Sequence, residues 1–234
     1  FQWTTPFLLR KIKPDLYLTP DGYMPLGLKT KSLAVIHDIA YEHFPDSVPK
    51  LVYGYYHSFF PKFAKQAKLI ATVSEFSKQD IAACYKVPES KIRVVYNGCN
   101  DAFHPLEAAS QQAVREQWTS GKPYFVYIGA MYPRKNIPRL LEAFFLFKEK
   151  DTQGVKLLLI GNRAFGAGKL DEQCRASRYG KDVIFTGRME DMQQVNALVA
   201  SSIAMTYLSV FEGFGIPCLE AMKAGTAVLT SNTS

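Results

Sequence analysis

The sequence has few cysteines, and none of them lies at a spacing that is typical of a metal site. Its four cysteines, Cys84, Cys99, Cys174 and Cys218, are far apart and form no Cys-x-x-Cys motif. We therefore predict no metal site, and the simplest interpretation is four free thiols in a reducing compartment. No run of about 18 apolar residues is present, so the pattern of a membrane-spanning helix is missing as well. We expect a cytoplasmic protein.

The composition is that of a globular protein with a sizeable core. Hydrophobic residues make up 47% of the chain and charged residues 21%, which argues against extensive disorder. The net charge of +7 suits a phosphorylated ligand, an anionic lipid surface or nucleic acid, without choosing among them. Because no motif of a nucleic-acid-binding protein accompanies that charge, we expect no nucleic-acid partner.

Short runs of β-branched residues alternate with helical patterns along the chain. In the first half the pattern predicts a helix at 74–85, with Ser74 as its N-cap, and strands at 15–18, 33–37, 69–73 and 92–96. In the second half it predicts strands at 124–129, 156–161, 182–187, 203–208 and 226–230, and helices at 137–150, 169–179, 191–202 and 216–223. This order predicts an α/β protein with parallel sheets. The segment 97–110 interrupts this alternation of strands and helices, and we therefore predict domains at 1–102 and 103–234.

Strands that end in glycine and lead into helices often form ligand sites, and Gly129, Gly161 and Gly187 all end predicted strands. After Gly129, the cations Arg134 and Lys135 precede a helix that Asn136 could cap and whose first turn suits Pro138. A helix N-terminus beside two cations favours phosphate. The simpler interpretation is two solvated charges on a loop.

The stretch VFEGFGIPCLEAMKAG at 210–225 places two carboxylates around a Gly-Phe-Gly turn. Gly213 and Gly215 would let the backbone approach a ligand, and the N–H groups of residues 214–216 would face an anion. Glu212 and Glu220 would accept hydrogen bonds from sugar hydroxyls. The stretch therefore suits a ligand with phosphate and hydroxyl groups, such as a nucleotide sugar, although a purely structural loop is the simpler alternative.

In the first half, His37 and Asp38 end a predicted strand, where a ligand-facing residue or a local capping residue would lie. We interpret the other three histidines, which show no partner pattern, as structural. The aromatic and lysine-rich segment 48–69 suits either an anionic membrane surface or a core-packing helix broken at Pro61 with its lysines in solvent. We favour the core helix.

Several segments, in this order, resemble glycosyltransferase family four: KPDLYLTP (13–20), VIHDIAYEHFP (35–45), ATVSEFSKQDI (71–81), KIRVVYNGCNDAFHPL (91–106), YFVYIGAMYPRKN (124–136), VIFTGRMED (183–191) and EGFGIPCLEAMKAG (212–225). The resemblance implies the GT-B fold of two facing Rossmann-like domains. It also implies a retaining transfer of a hexose from a nucleoside-diphosphate sugar, with no cofactor and no obligatory metal. The lack of an Asp-x-Asp motif agrees with that.

The resemblance also implies roles for individual residues. It assigns the donor diphosphate to Lys135 and Arg134, the donor sugar to Glu212, and the acceptor side to His37. In the nucleotide-sugar site, Glu220 would hold the ribose, and the backbone N–H groups of Phe214, Gly215 and Ile216 would meet sugar and phosphate. Gly187 and Arg188 would lie near the nucleobase, and Gly129 would also belong to this site.

From the same resemblance we expect a UDP- or GDP-sugar donor, favouring GDP-mannose, and a glycan or lipid-linked acceptor in polysaccharide biosynthesis. Peripheral contact with the inner face of the membrane is an alternative to a purely cytoplasmic location.

The family has segments before Phe1 and after Ser234, so we expect both domains to be incomplete and the chain to be of reduced activity. Many members of the family have an arginine directly after the glycine of the first corner, where this chain has Ala130. Alternatives are a glycogen- or sucrose-synthase-like enzyme and a non-catalytic nucleotide-sugar-binding module.

Overall fold

A computed structural model describes residue 2, residues 4–163 and residues 167–234. Contacts group the chain into a first unit, Phe1–Asn97 with Glu212–Phe214, and a second unit, Gly98–Phe211 with Gly215–Ser234. A short segment from late in the chain thus packs with the first unit, so the packing units are not continuous in sequence. The domain ranges 1–102 and 103–234 stay a prediction.

The first unit contains a four-stranded parallel sheet in the sequential order β1-β2-β3-β4. Its strands are β1 (Leu16–Thr19), β2 (Lys31–Val35), β3 (Leu69–Thr72) and β4 (Ile92–Val94), and its helices are α1 (Thr4–Ile12), α2 (Ala40–His43), α3 (Lys50–Gln66) and α4 (Glu75–Tyr85). The four predicted strands are confirmed, whereas α1 was not predicted. Ser74 caps α4 as expected, since its side chain accepts a hydrogen bond from the backbone N–H of Ser77.

Helix α3 runs without a break through Pro61, so the prediction of a helix broken there is wrong. A proline inside a helix costs about 3 kcal/mol. Phe60 and Phe63, on either side of Pro61, are buried in the core of this unit, and burial of each stabilises the helix by roughly 1.5–3 kcal/mol. Core packing therefore outweighs the proline, and the lysines of the helix are exposed as expected.

The second unit contains a five-stranded parallel sheet in the order β7-β6-β5-β8-β9. Its strands are β5 (Tyr124–Ile128), β6 (Lys156–Ile160), β7 (Val183–Gly187), β8 (Ala204–Tyr207) and β9 (Ala227–Thr230), and its helices are α5 (Ala108–Thr119), α6 (Ile137–Lys148), α7 (Ala167–Ala176), α8 (Met192–Ala200) and α9 (Ile216–Lys223). The predicted α/β fold is confirmed. The strand order reverses between β5 and β8, and such a reversal opens a crevice at the carboxyl ends of the strands.

The central strands of the second sheet are almost wholly buried. Val126, Leu157 and Leu159 are completely covered, as expected for a parallel sheet with helices on both faces. Among the described residues, we find no helix that is both long and apolar enough to cross a membrane.

Candidate functional site

A cavity of about 310 Å³ opens at the carboxyl ends of β5, β6 and β7 in the second unit. Its walls come from the ends of these strands and from α8 and α9: Ile128, Gly129, Ala130, Ile160, Gly161, Asn162, Arg188, Met189, Met192, Val195 and Glu220. The structure thus brings together three residues that the sequence analysis assigned to ligand binding, Gly129, Arg188 and Glu220.

Glycines that end adjacent strands form one wall of this cavity. Gly129 and Gly161 have φ values of +143° and +138°, which side-chain-bearing residues rarely adopt. A Cβ on Gly161 would lie 2.1 Å from the carbonyl oxygen of Gly129. The backbone N–H of Gly161 also donates to the carbonyl oxygen of Gly187, at 2.9 Å. The close approach of backbone to backbone explains why Gly161, which the sequence marked only as a corner, must be glycine.

Glu220 places a half-buried carboxyl group in a largely apolar part of the cavity. Its neighbours in the wall include Ile128, Met192 and Val195, and burial raises the pKa of Glu220 above its ordinary value. A carboxylate in such surroundings is stabilised by hydrogen-bond donors, and the hydroxyl groups of a sugar are suitable donors. The exposed Arg188 lies in the wall of the same cavity.

A glycine in the left-handed conformation precedes helix α9. Gly215 has a φ of +85° and occupies the N-cap position, and Pro217 lies in the first turn, as predicted. The carbonyl oxygen of Gly215 accepts a hydrogen bond from the N–H of Cys218 at 2.9 Å. Ile216 and Glu220 both belong to this short helix, and its N-terminus carries a partial positive charge.

Gly213 packs closely within its own unit. A Cβ on Gly213 would lie 2.8 Å from the Cβ of Asp38, in the same unit, and the expected approach of its backbone to a ligand stays a prediction. Its carbonyl oxygen accepts hydrogen bonds from the hydroxyls of Ser74 at 2.5 Å and Ser77 at 3.2 Å. Packing within the first unit therefore requires glycine here. Phe214 lies beside it, with its ring 6.3 Å from that of Tyr96, and Glu212 is partly buried.

Lys135 is not a solvated loop charge, so that simpler interpretation is wrong. It ends the short 3₁₀ turn Pro133–Lys135 after β5, and only 8% of the residue is exposed. Its Nζ donates to the hydroxyl of Tyr207, at 2.5 Å, and lies 4.8 Å from the centre of that ring. Tyr207 ends β8 and stacks on Tyr127. The sequence could not show this contact, because the two partners are 72 residues apart.

Arg134 connects the turn after β5 to the segment after β8. Its Nη1 donates to the carbonyl oxygen of Phe211 at 2.9 Å, and its own carbonyl oxygen accepts from the N–H of Val210 at 2.9 Å. Asn136 occupies the N-cap position of α6 with a φ of +56°, but in the described chain its side chain makes no capping hydrogen bond, so that prediction is wrong. Pro138 lies in the first turn, as expected. Both predicted cations are therefore fixed where the strand order reverses.

His37 lies at a cavity of about 380 Å³ in the first unit. Its exposed ring has Nε2 3.1 Å from the carbonyl oxygen of Pro20. The other residues around the cavity are mostly aromatic or acidic: Asp21, Tyr23, Val35, Ile36, Asp38, Tyr41, Tyr56 and Phe60. Asp38 lies just before α2, and its Oδ1 accepts a hydrogen bond from the N–H of Ala40 at 3.0 Å. His37 thus combines a local contact with a place in the cavity wall.

Two of the histidines that we interpreted as structural have carboxylate partners. His43 Nε2 lies 2.8 Å from Asp80 Oδ1, and His57 Nδ1 lies 2.7 Å from Glu42 Oε2. The first pair could not be predicted from local sequence patterns, because its members are 37 residues apart. His104 contacts the carbonyl oxygen of Pro105, at 3.0 Å.

Family models match both halves of the chain. The model of glycosyl transferases group 1 matches residues 110–234, and that of glycosyltransferase family 4 matches residues 1–103. The chain belongs to the group 1 glycosyl transferases. The resemblance to glycosyltransferase family four is confirmed, and the residues that line the second unit's cavity lie within the matched group 1 segment.

Curated relatives of this group 1 member include two bacterial proteins. O-antigen chain mannosyltransferase B of Escherichia coli is 32% identical over 97% of this chain and 59% of its own length. O-antigen chain mannosyltransferase RfbU of Salmonella typhimurium is 30% identical over 93% of this chain and 56% of its own length. The chain thus spans less than two thirds of the length of these relatives.

Solved structures confirm the GT-B type of fold. Anabaena HepE in complex with UDP has a TM-score of 0.78 and 18% sequence identity, and the match covers 100% of this chain and 63% of that one. Identity this low supports the fold alone. Together with the family models it confirms an α/β architecture with two sheets of parallel strands, as the resemblance implied.

Proposed function

We propose that the whole protein is a retaining glycosyltransferase that moves mannose from a nucleoside-diphosphate sugar to a glycan or lipid-linked acceptor in polysaccharide biosynthesis. The names of the relatives, which are mannosyltransferases of O-antigen chains, support the sugar and the pathway class. The observation that carries the proposal is the cavity whose wall contains Glu220 and Arg188 together with the glycine corners at Gly129 and Gly161.

In this proposal the second unit binds the donor nucleotide. The carboxylate of Glu220 accepts hydrogen bonds from the ribose hydroxyls, and Gly187 and Arg188 lie against the base. The glycine corner at Gly129 lets the nucleotide approach the backbone. The size of the cavity, about 310 Å³, is at the lower end of the range of small-molecule sites.

The proposed catalytic groups stabilise the diphosphate that leaves. Negative charge grows on its oxygen as the bond to the sugar breaks, and Lys135, Arg134 and the N–H groups of residues 214–216 would stabilise that charge. Lys135 is suited to this task because contacts with Tyr207 hold its ammonium group in place before the reaction. With these groups the proposal requires no metal ion.

The transfer itself keeps the configuration of the sugar. The bond from the sugar carbon to the diphosphate breaks, the acceptor oxygen bonds to the same face of that carbon, and the acceptor proton passes to the departing phosphate oxygen. Glu212 would hold the donor sugar, and His37 would lie on the acceptor side. The tyrosine and aspartate side chains around His37 suit a glycan, because sugars pack on aromatic rings and donate hydrogen bonds to carboxylates. Peripheral membrane contact stays a prediction.

The experiment is a transfer assay with the whole protein, a glycan acceptor, and GDP-mannose or UDP-glucose as donor. We expect product from GDP-mannose, with the donor's anomeric configuration retained by NMR spectroscopy. Glu212→Ala should abolish most turnover, whereas Glu142→Ala, on the exposed face of α6, should not change it. Product of inverted configuration, or equal activity of the Glu212→Ala and Glu142→Ala variants, would contradict the proposal.

A further inference from the structure

Three side chains of different chemistry meet between α2 and α4 in the first unit. His43 ends α2, and Asp80 and Cys84 lie four residues apart on one face of α4. His43 Nε2 is 2.8 Å from Asp80 Oδ1, and Cys84 Sγ is 3.5 Å from the same oxygen. One ligand atom from each of the three residues lies within 4.8 Å of the other two. An imidazole nitrogen, a carboxylate oxygen and a sulfur therefore converge on one point.

The second carboxylate oxygen of this cluster has a feature that points to a missing ligand. Asp80 Oδ2 is buried, and within the described part of the chain it has no hydrogen-bond partner. A buried carboxylate oxygen without a partner is costly, and a bound cation would compensate that cost. His43 is 38% exposed and Cys84 is exposed, so an ion could reach the cluster from solvent.

Negative charge nearby favours a cation further. Glu42, the neighbour of His43 on α2, has its carboxylate 2.7 Å from His57 Nδ1 and accepts a hydrogen bond from the hydroxyl of Tyr85 at 3.3 Å. Its Oε atoms are thus held by these partners and are not among the ligand atoms of the cluster. The three-residue cluster and this acidic neighbour together form a local acidic site on a chain of net charge +7.

We propose that His43, Asp80 and Cys84 bind one zinc ion, which joins the end of α2 to α4. Imidazole, carboxylate and thiolate are the ligands that zinc prefers, whereas magnesium and calcium favour oxygen ligands alone. Water would complete a tetrahedral shell. Binding replaces the contact between His43 and Asp80 with two bonds to the metal, and the thiol proton of Cys84 is released to solvent. The cysteine spacing gave no sign of this site, because its ligands come from two helices and only one is cysteine.

The first test is titration of the reduced chain with Co²⁺, which reports thiolate ligation through a charge-transfer band in the near ultraviolet. We expect one equivalent to bind with this band. In Cys84→Ser the band should vanish, and affinity for Zn²⁺, measured by competition with a chromophoric chelator, should fall about tenfold or more. The matched control, Cys174→Ser, should keep both. Absence of the band in the parent, or equal Zn²⁺ affinity of the two serine variants, would overturn the proposal.

A second readout guards against a variant that does not fold. Zn²⁺ should raise the thermal midpoint of the parent, because an ion that binds only the folded chain stabilises it. It should raise that of His104→Gln equally, and that of His43→Gln and Asp80→Asn much less, with circular dichroism checking that each is folded. An equal rise in all four proteins would place the ion elsewhere and would overturn the assignment. Neither readout depends on sugar transfer.

Discussion

The carboxyl ends of the two parallel sheets enclose cavities of similar size but different chemistry. The cavity of the first unit, about 380 Å³, is surrounded by tyrosines, two aspartates and the exposed His37. That of the second unit, about 310 Å³, has bare backbone at its glycine corners, apolar side chains and one half-buried carboxyl group. The same strand-to-helix geometry thus produces an aromatic, hydrogen-bonding site in one unit and a close-fitting, backbone-lined site in the other.

Strand order explains part of this difference. The first sheet follows the chain sequentially, whereas the second reverses direction between β5 and β8. The reversal brings the turn after β5 beside the end of β8, where Lys135 is buried against Tyr207. A fixed buried cation therefore belongs to the second unit, whereas His37, which follows β2 in the first unit, is exposed. This difference agrees with the proposal that the second unit binds the donor nucleotide and the first contributes to the acceptor side.

The largest expected effect concerns the glycine corners of the second unit. Gly161→Ala should destabilise that unit by about 3 kcal/mol or more, because its Cβ would overlap the carbonyl of Gly129 and the residue would hold a strained φ. The matched change in the first unit is Gly27→Ala, where φ is +76° but no atom lies within 4 Å. Only the left-handed conformation should cost free energy there, about 1–2 kcal/mol.

Urea unfolding followed by circular dichroism, fitted with one transition for each unit, measures both changes. Equal losses of unfolding free energy in the two variants would show that the close approach between the backbones of Gly129 and Gly161 does not restrict this corner. The second unit would then not differ from the first in this respect.

An intermediate effect concerns the carboxyl group in the second cavity. Since burial raises the pKa of Glu220, the group should lose its charge at a pH above that of an ordinary glutamate, and nucleotide affinity should fall with it. Glu220→Gln should bind about tenfold more weakly at neutral pH, since a hydrogen bond to a charged acceptor is lost. The nucleotide affinity of this variant should also no longer fall as the pH is lowered into the acid range. Affinity measured against pH for both proteins tests this, and an unchanged profile in the variant would exclude Glu220 as its source.

The same pKa shift has a consequence for stability. A carboxyl group with a folded pKa above its unfolded value contributes stability that is present below the unfolded pKa and is lost as pH rises through the folded pKa. Glu220→Gln should therefore be at least as stable as the parent at neutral pH and should lack this pH-dependent step. Thermal unfolding across the acid range measures it, and a variant less stable at neutral pH would contradict the assigned burial cost.

The smallest effect concerns the aromatic cavity of the first unit. The hydroxyl of Tyr23 donates to that of Tyr56 at 2.8 Å, so Tyr56→Phe should cost about 1 kcal/mol of folding free energy. It should leave nucleotide affinity unchanged, because the proposed donor cavity lies in the other unit. A large loss of nucleotide affinity in this variant would show that the two cavities do not have separate tasks.

Local sequence signals predicted the regular elements well. Helix α9 spans the predicted residues 216–223, and Ser74 caps α4, because capping and strand patterns depend on neighbours in the chain. The break at Pro61 was predicted wrongly since the burial of Phe60 and Phe63 is a tertiary effect. Local signals thus place elements, while packing decides whether a breaker residue breaks one.

The site could be predicted only in part, for the same reason. Gly129 and Glu220 were named from the strand-to-helix corners and Arg188 from the family resemblance, and the structure places all three in one cavity. The burial of Lys135 depends on Tyr207, and the glycine at 213 on Asp38 and two serines; all of these are distant in sequence. The pairing of His43 with Asp80 was hidden in the same way. Residue types were thus predictable, whereas contacts between distant elements were not.

Whether the second unit holds the donor nucleotide is tested by calorimetric titration of this chain with GDP, UDP, ADP and dTDP without metal. We predict binding of GDP that weakens about tenfold or more in Glu220→Ala and in Lys135→Ala and is unchanged in His37→Ala. Binding that is equally strong in Glu220→Ala and the parent, or the absence of binding to all four nucleotides, would contradict the proposal.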